Sequence, residues 1–127
     1  MPQLLVVDDS KVMRERIVAC LRADARLAFT HAGSGLEAIE QLSLRPFDLV
    51  LLDLNMPDIG GIEVVEFIRG QDHLRRLPII IVTTQGDDSS RARTRAAGAS
   101  SFVVKPFDPE EILSEVQGLL AAAAASS

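Results

Sequence analysis

Five short apolar runs, separated by segments with helical spacing, constrain the fold of this chain more than any other feature. In order, the runs are Leu4–Val7, Leu27–Thr30, Leu49–Leu52, Ile79–Val82 and Phe102–Val104. Strands that alternate with helices are typical of a parallel sheet with helices on both faces. The third and fourth runs are apolar throughout, as expected of central strands buried on both sides. We therefore predict an α/β fold built on a doubly wound, five-stranded parallel sheet.

The length and composition of the chain suit one compact, soluble domain. Its 127 residues are 47% hydrophobic and 24% charged, a balance that allows a buried core. No apolar run approaches the ~20 residues of a membrane span, and the N-terminus becomes acidic too early for a signal peptide. We therefore expect a cytoplasmic protein. Its net charge of -5 argues against direct binding of nucleic acid.

The cysteine and the histidines do not form a recognisable site. Cys20 is the only cysteine, which excludes an internal disulfide, and we interpret it as a small apolar residue on the buried face of the first helix. His31 and His73 lie far apart in the sequence, and a zinc site needs more ligands than these two residues provide.

Two helix starts and the end of the chain carry local signals. Ser34 and Glu37 have the spacing of a capping box, in which each side chain satisfies a backbone donor of the other. Asp108 precedes Pro109, as expected of a cap followed by the first helical residue. We assign residues 1–121 to one domain and residues 122–127 to an alanine and serine tail, which either extends the last helix or is disordered.

Polar residues follow four of the five predicted strands. After strands one, three, four and five come, in order, Asp8-Asp9, Asp53, Thr83-Thr84 and Lys105-Pro106. The carboxyl ends of parallel strands meet at one edge of the sheet, where ligands bind at the point of strand-order reversal, so these side chains are expected to converge. Any one of them alone would be an ordinary cap, turn or surface residue. Because such residues follow four of the five strands, we interpret them as parts of one functional site.

The charges in this group require compensation. Two carboxylates about 5 Å apart repel by roughly 3 kcal/mol at an effective dielectric of about 20. A third carboxylate would raise at least one pKa or require a counter-cation, and the lysine supplies only one positive charge. A few hard oxygen ligands beside an anion suit Mg²⁺. The sequence therefore predicts a Mg²⁺ site next to an anionic guest, most simply a phosphoryl group.

Four motifs of the chain, taken together, resemble those of a known protein family. They are "LLVVDDS", "LLDLNMPDIGG", "IIIVTT" and "FVVKPF", and they resemble the receiver domain of bacterial two-component response regulators, most closely the stand-alone chemotaxis type. The resemblance covers nearly the whole chain. It implies a flavodoxin-like sheet with strand order 2-1-3-4-5. It also implies a signalling switch rather than an enzyme, which accepts a phosphoryl group from a histidine kinase or a histidine phosphotransfer protein and later dephosphorylates itself.

The resemblance implies a role for each residue of the acidic edge. Asp53 corresponds to the phosphoacceptor. Asp8 and Asp9 correspond to the metal-binding pair, with Asp9 as the usual direct ligand and Asp8 often acting through water. Asn55 corresponds to the residue whose backbone carbonyl binds the metal, so Mg²⁺ would be held by these four residues.

The resemblance also assigns the residues that respond to the phosphoryl group. Lys105 corresponds to the lysine that pairs with it, Thr83 to the switch hydroxyl that turns toward it, and Phe102 to the switch aromatic. Thr84 and Gln85 correspond to positions beside the opening through which water reaches the acyl phosphate. A β-branched Thr84 and a neutral Gln85 predict slow self-dephosphorylation.

The resemblance implies an output surface formed by the fourth helix, the fifth strand and the fifth helix. Arg91 and Arg95 are four residues apart and therefore lie on one face of the predicted fourth helix. The resemblance implies a monomer that could dimerise on phosphorylation and bind a downstream protein, without direct contact with nucleic acid or membrane.

Three alternatives remain open from the sequence. Phosphatases with an aspartate nucleophile resemble this pattern, but they carry a second acid two residues later, where this chain has Asn55, and a cap insertion that we do not find. A degenerate receiver used only for docking usually lacks an acid, the acceptor or the lysine, all of which are present here. The domain could also belong to a longer regulator with a separate output module, a question that the alanine tail leaves open.

Overall fold

Strands and helices alternate along the chain in the computed structural model, which describes residues 1–126. In order, the elements are β1 (Gln3–Val7), α1 (Lys11–Leu21), β2 (Ala28–Ala32), α2 (Gly35–Leu44), β3 (Leu49–Leu52), α3 (Gly61–Gly70), a 3-10 turn (Asp72–Leu74), β4 (Ile79–Thr83), α4 (Asp88–Ala97), β5 (Ser101–Val104) and α5 (Pro109–Ser126).

The five strands form one parallel sheet in the order β2-β1-β3-β4-β5, which confirms the predicted flavodoxin-like arrangement. β1 lies between β2 and β3, with Leu4 opposite Phe29 on one side and Leu49 on the other. The chain moves outward from β1 to β2, then crosses over and proceeds from β3 to β5. The strand order therefore reverses between β1 and β3, whose carboxyl ends flank the crevice where doubly wound sheets bind ligands.

Two apolar layers cover the sheet. Side chains alternate between the two faces of a strand, so Leu5 and Val7 enter the layer shared with α2 and α3, whereas Leu4 and Val6 enter the layer shared with α1 and α5. All four residues of β3 are buried because helices cover both of its faces. Burial of one such leucine side chain contributes about 1.5 to 3 kcal/mol. The central strands are therefore a firm support for the residues that follow them.

The second strand is shifted relative to the sequence prediction. The apolar run predicted a strand over Leu27–Thr30, but β2 runs from Ala28 to Ala32. Its register is set by pairing with β1 and by which side chains the sheet buries, rather than by the apolar run alone. β4 extends to Thr83 and β5 starts at Ser101, each one residue beyond the prediction.

The helix caps follow the sequence prediction in part. The Ser34 hydroxyl accepts a hydrogen bond from the Glu37 amide at 3.1 Å, and the Asp108 carboxylate accepts one from the Glu110 amide at 3.0 Å. Within residues 1–126, the Glu37 carboxylate does not accept a bond from the Ser34 amide in return, so the prediction of a complete capping box is wrong. Asp58, from the segment before α3, instead binds the free amides at the start of α2.

The last helix includes most of the alanine and serine tail. α5 continues from Pro109 to Ser126, and Ser127, the last residue of the predicted tail, lies outside the described residues. None of the helices formed by residues 1–126 is long and apolar enough to cross a membrane.

Candidate functional site

Three carboxylates converge at the carboxyl edge of the sheet, as the strand ends predicted. Asp8 directly follows β1 and Asp53 directly follows β3, and the two strands are neighbours. One oxygen atom each from Asp8, Asp9 and Asp53 lies within 4.8 Å of the others. Asp8 is 2% exposed and Asp53 is 7% exposed, whereas Asp9 is open to solvent. Two of the three charges are therefore held where water screens them poorly.

Backbone hydrogen bonds fix the positions of the two buried acids, Asp8 and Asp53. The Asp53 amide donates to the Val7 carbonyl at 3.1 Å, and the Asp8 amide donates to the Ala32 carbonyl at 3.1 Å. Both bonds continue the ladder of the sheet one residue past a strand end. The acids therefore extend directly from the rigid sheet instead of lying on a flexible loop.

Lys105 lies among the acids but is closest to Asp8. Its Nζ is 2.6 Å from Oδ2 of Asp8 and 3.7 Å from Oδ2 of Asp53, and the lysine side chain is only 10% exposed. The Lys105 amide donates to the Thr83 carbonyl at 2.8 Å, and the Lys105–Pro106 peptide is cis. Three carboxylates thus face one ammonium group. The positive charge of Lys105 is therefore too small to balance the negative charge of the cluster.

This crowding changes the pKa of the Asp53 carboxyl group. Burial raises its pKa, Lys105 opposes that rise, and the negative charge of Asp8 adds to it. The Thr83 hydroxyl and the Leu54 amide, which donates to Oδ1 at 2.8 Å, lower the pKa again, but the net effect is upward. A cation bound beside Asp53 would reverse this balance because it favours the ionised form.

Thr83, Thr84, Gln85 and Asn55 differ in where they lie. Thr83 is fully buried, and its hydroxyl accepts a hydrogen bond from the Gln85 amide at 3.3 Å. Thr84, Gln85 and Asn55 are exposed. Asn55 and Gln85 both line an open cleft of about 620 Å³ between α3 and α4, and none of the three acids lines it. Asn55 and Gln85 thus line a cleft that is separate from the three acids.

Phe102 and the arginines of α4 form one surface. Phe102 is partly buried against the layer that includes α3, and the Arg91 guanidinium lies over its ring, 4.7 Å from the centroid. Arg91 Nε also donates to the Gly86 carbonyl at 3.2 Å. Arg95 lies one turn further on and joins Arg91 and Phe102 in lining a shallow depression of about 350 Å³. The contact of Arg91 with Phe102 had no signal in the sequence.

Sequence reasoning also missed two polar side chains that connect separate elements of the fold. Arg14 of α1 donates from Nη1 to the Asp8 carbonyl and from Nε to His31 Nδ1 at 3.2 Å. Asp58 accepts hydrogen bonds from the Gly35 and Leu36 amides at 3.1 and 2.9 Å. Asp58 follows a Met-Pro pair, where a polar residue is ordinarily part of a turn. Its contact with α2 is therefore evident only from the packing of that helix.

The residues of the acidic edge fit a divalent cation. Three carboxylate oxygens lie close enough to share one ion, and Lys105 neutralises only part of their charge. Oxygen donors of this kind suit hard cations. The fold and the site together define a flavodoxin-like α/β domain with an acidic, cation-competent centre at the carboxyl edge of its sheet.

Comparison with known proteins gives the family. The model of the response regulator receiver domain matches residues 4–117. The chain is 37% identical over 125 residues to the transcriptional regulatory protein ResD of Bacillus subtilis, which covers 98% of this chain and 50% of ResD. It is 34% identical over 119 residues to the chemotaxis protein CheY1 of Helicobacter pylori, which covers 93% of this chain and 96% of CheY1.

A solved structure gives the same result. The chemotaxis response regulator CheY4 of Vibrio cholerae superposes with a TM-score of 0.86 at 34% identity, covering 94% of this chain and 98% of that one. The chain belongs to the response regulator receiver domain family. It is therefore a receiver domain of two-component signalling, a switch rather than a classical enzyme. The chain spans nearly the whole length of CheY1 and half the length of ResD.

Proposed function

We propose that Asp53 is the phosphoacceptor of this receiver domain and takes its phosphoryl group from a phosphohistidine on a kinase or a phosphotransfer protein. The observation that carries this assignment is the clustering of Asp53 with Asp8 and Asp9 within 4.8 Å, with Lys105 beside them. An Asp53 oxygen forms a bond to phosphorus while the bond from phosphorus to the histidine nitrogen breaks. The product is an acyl phosphate and a free imidazole.

Mg²⁺ is the cation that we assign to this site, held by Asp8, Asp9, Asp53 and the backbone carbonyl of Asn55. When bound, it neutralises the charge that develops on the phosphoryl oxygens. The backbone bond of Asp53 to β1 keeps the acceptor in place, and the three carboxylates supply the negative field that attracts the ion. The shortage of positive charge around them supports this assignment, because Lys105 is a single cation among three acids.

Lys105 and Thr83 are the residues that we expect to detect the phosphoryl group. In the present structure, Lys105 is paired with Asp8, and its Nζ is 3.7 Å from the Asp53 carboxylate. A phosphoryl group on Asp53 adds negative charge within reach of that ammonium, which favours a charge-assisted bond to the new oxygens. The buried Thr83 hydroxyl is next to Asp53 and can donate to the same group.

We expect a movement of Thr83 to affect the output surface through the pairing of β4 with β5 at the edge of the sheet. β4 pairs with β5 so that Ile81 lies opposite Phe102 and Thr83 lies opposite Val104. A shift of Thr83 toward the phosphoryl group therefore alters the packing next to Phe102 and the position of the stacked Arg91. We assign the face formed by Arg91, Arg95 and Phe102 to the binding of a downstream protein in the phosphorylated state.

Self-dephosphorylation would occur slowly at the same site. Hydrolysis needs a water in line with the leaving oxygen, and such alignment is sensitive to nearby side chains. Thr84 and Gln85 directly follow Thr83, Asn55 lies two residues after Asp53, and all three residues are exposed. Gln85 is neutral and can orient a water without taking its proton strongly, and Thr84 has few rotamers with which to move aside.

Acetyl phosphate with Mg²⁺ tests the assignment directly. We expect intact mass measurements to show one added phosphoryl group on the wild type and on Asp72→Asn, an exposed acid far from the site. Asp53→Asn should gain none. Labelling of Asp53→Asn at the wild-type level would refute the acceptor role. Small phosphate esters should not be turned over, and steady turnover would indicate a phosphatase instead.

A further inference from the structure

Asp58 connects the segment that follows the proposed phosphoacceptor to a distant helix. Its carboxylate accepts hydrogen bonds from the Gly35 amide at 3.1 Å and from the Leu36 amide at 2.9 Å. These are the first two residues of α2, so their amides have no acceptor inside the helix. The bond to Leu36 is the largest of the contacts that lower the pKa of Asp58. The side chain therefore stays ionised near neutral pH and faces the positive end of the helix dipole.

The backbone around Asp58 also lies directly against α2. A Cβ atom placed on Gly35 would lie 2.6 Å from the Ile59 carbonyl oxygen, closer than such atoms approach in folded proteins. Only glycine allows the segment to lie this near the helix. The contact between this segment and α2 is therefore part of the fold, and the two hydrogen bonds of Asp58 add to it.

The base of the same segment is fixed by the sheet and by α3. The Asp53 amide donates to Val7, and the Gly61 amide donates to the Leu54 carbonyl at 3.0 Å. Between these two ends, residues 55–59 make no hydrogen bond to any other part of the described chain except through Asp58. Met56 and Ile59 also pack against the apolar layer shared with α2 and α3, so the two bonds of Asp58 are the polar part of what holds the segment that carries Asn55.

We infer that Asp58 is a positioning residue for the cation site, which acts by fixing residues 55–59 against α2 so that the Asn55 carbonyl faces the three carboxylates. The inference rests on the proposed function, which gives that carbonyl a place in the site. Because coupling between two bound groups is reciprocal, a cation at the site also stabilises the contact of Asp58 with α2.

Ser34→Ala provides a matched control for Asp58→Ala. Ser34 caps the same helix through the Glu37 amide, and its side chain makes no hydrogen bond with residues 55–59 of the described chain, so its loss weakens α2 without removing the bonds of Asp58. We expect calorimetric titration with MgCl₂, without a phosphodonor, to give a Kd about tenfold higher for Asp58→Ala, at the lower end of the range for groups that orient metal ligands. Ser34→Ala should remain within about twofold of the wild type.

Asp58→Asn tests the same point with a variant that keeps the shape of the side chain. Its amide oxygen can accept a bond from one α2 amide, so a Kd about threefold higher than that of the wild type is expected, between the wild type and Asp58→Ala. If Asp58→Ala does not fold, the Kd of Asp58→Asn alone tests the inference. Wild-type affinity in Asp58→Ala, or in Asp58→Asn when Asp58→Ala does not fold, would overturn the inference, as would an equal loss in Ser34→Ala.

Amide hydrogen exchange gives a readout that does not depend on phosphorylation. In the wild type, Mg²⁺ should slow exchange at the Gly35 and Leu36 amides, because the ion stabilises the segment that binds them. In Asp58→Ala, the ion should leave the exchange of these amides unchanged. If the wild type binds Mg²⁺ and is phosphorylated but these amides do not respond, only the role of Asp58 fails. If the wild type does neither, the proposed function fails as well.

Discussion

The Arg91 guanidinium lies over the Phe102 ring, 4.7 Å from its centroid, although the two residues belong to different elements. Arg91 Nε also donates to the Gly86 carbonyl in the loop before α4. The buried face of α4 is made of small polar residues, Ser90 and Thr94, rather than large apolar ones. The Arg91 contact therefore provides an important part of the attachment of α4 to β5, at the centre of the proposed output surface.

Loss of this contact should lower stability modestly. Arg91→Ala removes a cation–π contact and the cover of the aromatic ring, for which we expect a loss of about 0.5 to 1 kcal/mol in the free energy of unfolding. Arg93→Ala, on the same helix but not on the ring, should change it by less than about 0.5 kcal/mol. Urea unfolding followed by circular dichroism measures both. Equal values for the two variants would mean that the stacking contributes nothing.

The raised pKa of Asp53 predicts a pH dependence in metal-free protein. A carboxyl group whose pKa is higher in the folded state than the unfolded value of about 3.9 binds more protons when folded. Stability therefore falls as pH rises from the unfolded pKa through the folded one. Other acids, such as Asp87, have lowered pKa values and act in the opposite direction. The effect of Asp53 on stability therefore has to be measured by comparing the wild type with a variant at that position.

Asp53→Asn isolates that effect. In EDTA, the variant should be more stable than the wild type above the folded pKa of Asp53, and the difference should disappear at acid pH, where the carboxyl group of the wild type is protonated. Thermal unfolding over a pH series measures it. A difference that does not change with pH, or a less stable variant, would contradict the crowding argument.

Removal of Lys105 should destabilise the metal-free domain strongly. Lys105→Met leaves the buried Asp8 carboxylate without its partner at 2.6 Å, and breaking such a pair costs about 3 kcal/mol. Lys11→Met breaks the exposed pair with Glu15 and should cost less than about 1 kcal/mol. Addition of Mg²⁺ should recover part of the loss in Lys105→Met, because the ion replaces the missing charge. Equal losses in the two variants would argue against a buried pair.

Thr84 is expected to prolong the phosphorylated state. Thr84→Ala should lose phosphate several-fold faster in Mg²⁺, which corresponds to about 1 kcal/mol in the barrier, because the smaller side chain leaves more room for the attacking water. The rate of phosphate loss from the purified, phosphorylated protein measures this. Thr84→Ser removes only the methyl group and should fall between the two. An unchanged or slower rate in Thr84→Ala would show that the side chain does not guard the site.

Two glycines should respond in opposite directions to alanine. A Cβ atom on Gly61 would lie 2.4 Å from the Asp53 carbonyl oxygen, whereas one on Gly118 meets nothing within 4 Å. Gly118→Ala should therefore stabilise α5 by up to about 1 kcal/mol through helix propensity. Gly61→Ala should destabilise the protein by about 1 to 3 kcal/mol through overpacking beside the acceptor. Thermal unfolding of both variants provides the check, and a neutral Gly61→Ala would mean that α3 can move away from Asp53 freely.

Much of the fold and part of the site could be predicted from the sequence because they depend on local patterns. Continuous apolar runs identify strands buried on both sides, and the parallel arrangement brings the residues after them to one edge. Asp8, Asp9 and Asp53 are together in the structure for this reason. The start of β2 was misplaced because its register depends on pairing with β1, which a single run of residues does not encode.

The sequence by itself determined the alternation of strands and helices, the buried central strands and the residues at their carboxyl ends, since each follows from backbone periodicity over a few neighbours. Only the tertiary structure decided that Lys105 pairs with Asp8 more closely than with Asp53, that Asp58 binds α2, and that Arg91 covers Phe102. These side chains have several rotamers and several partners within reach. The choice among them depends on distances between elements that come together only when the sheet and both helical layers are assembled.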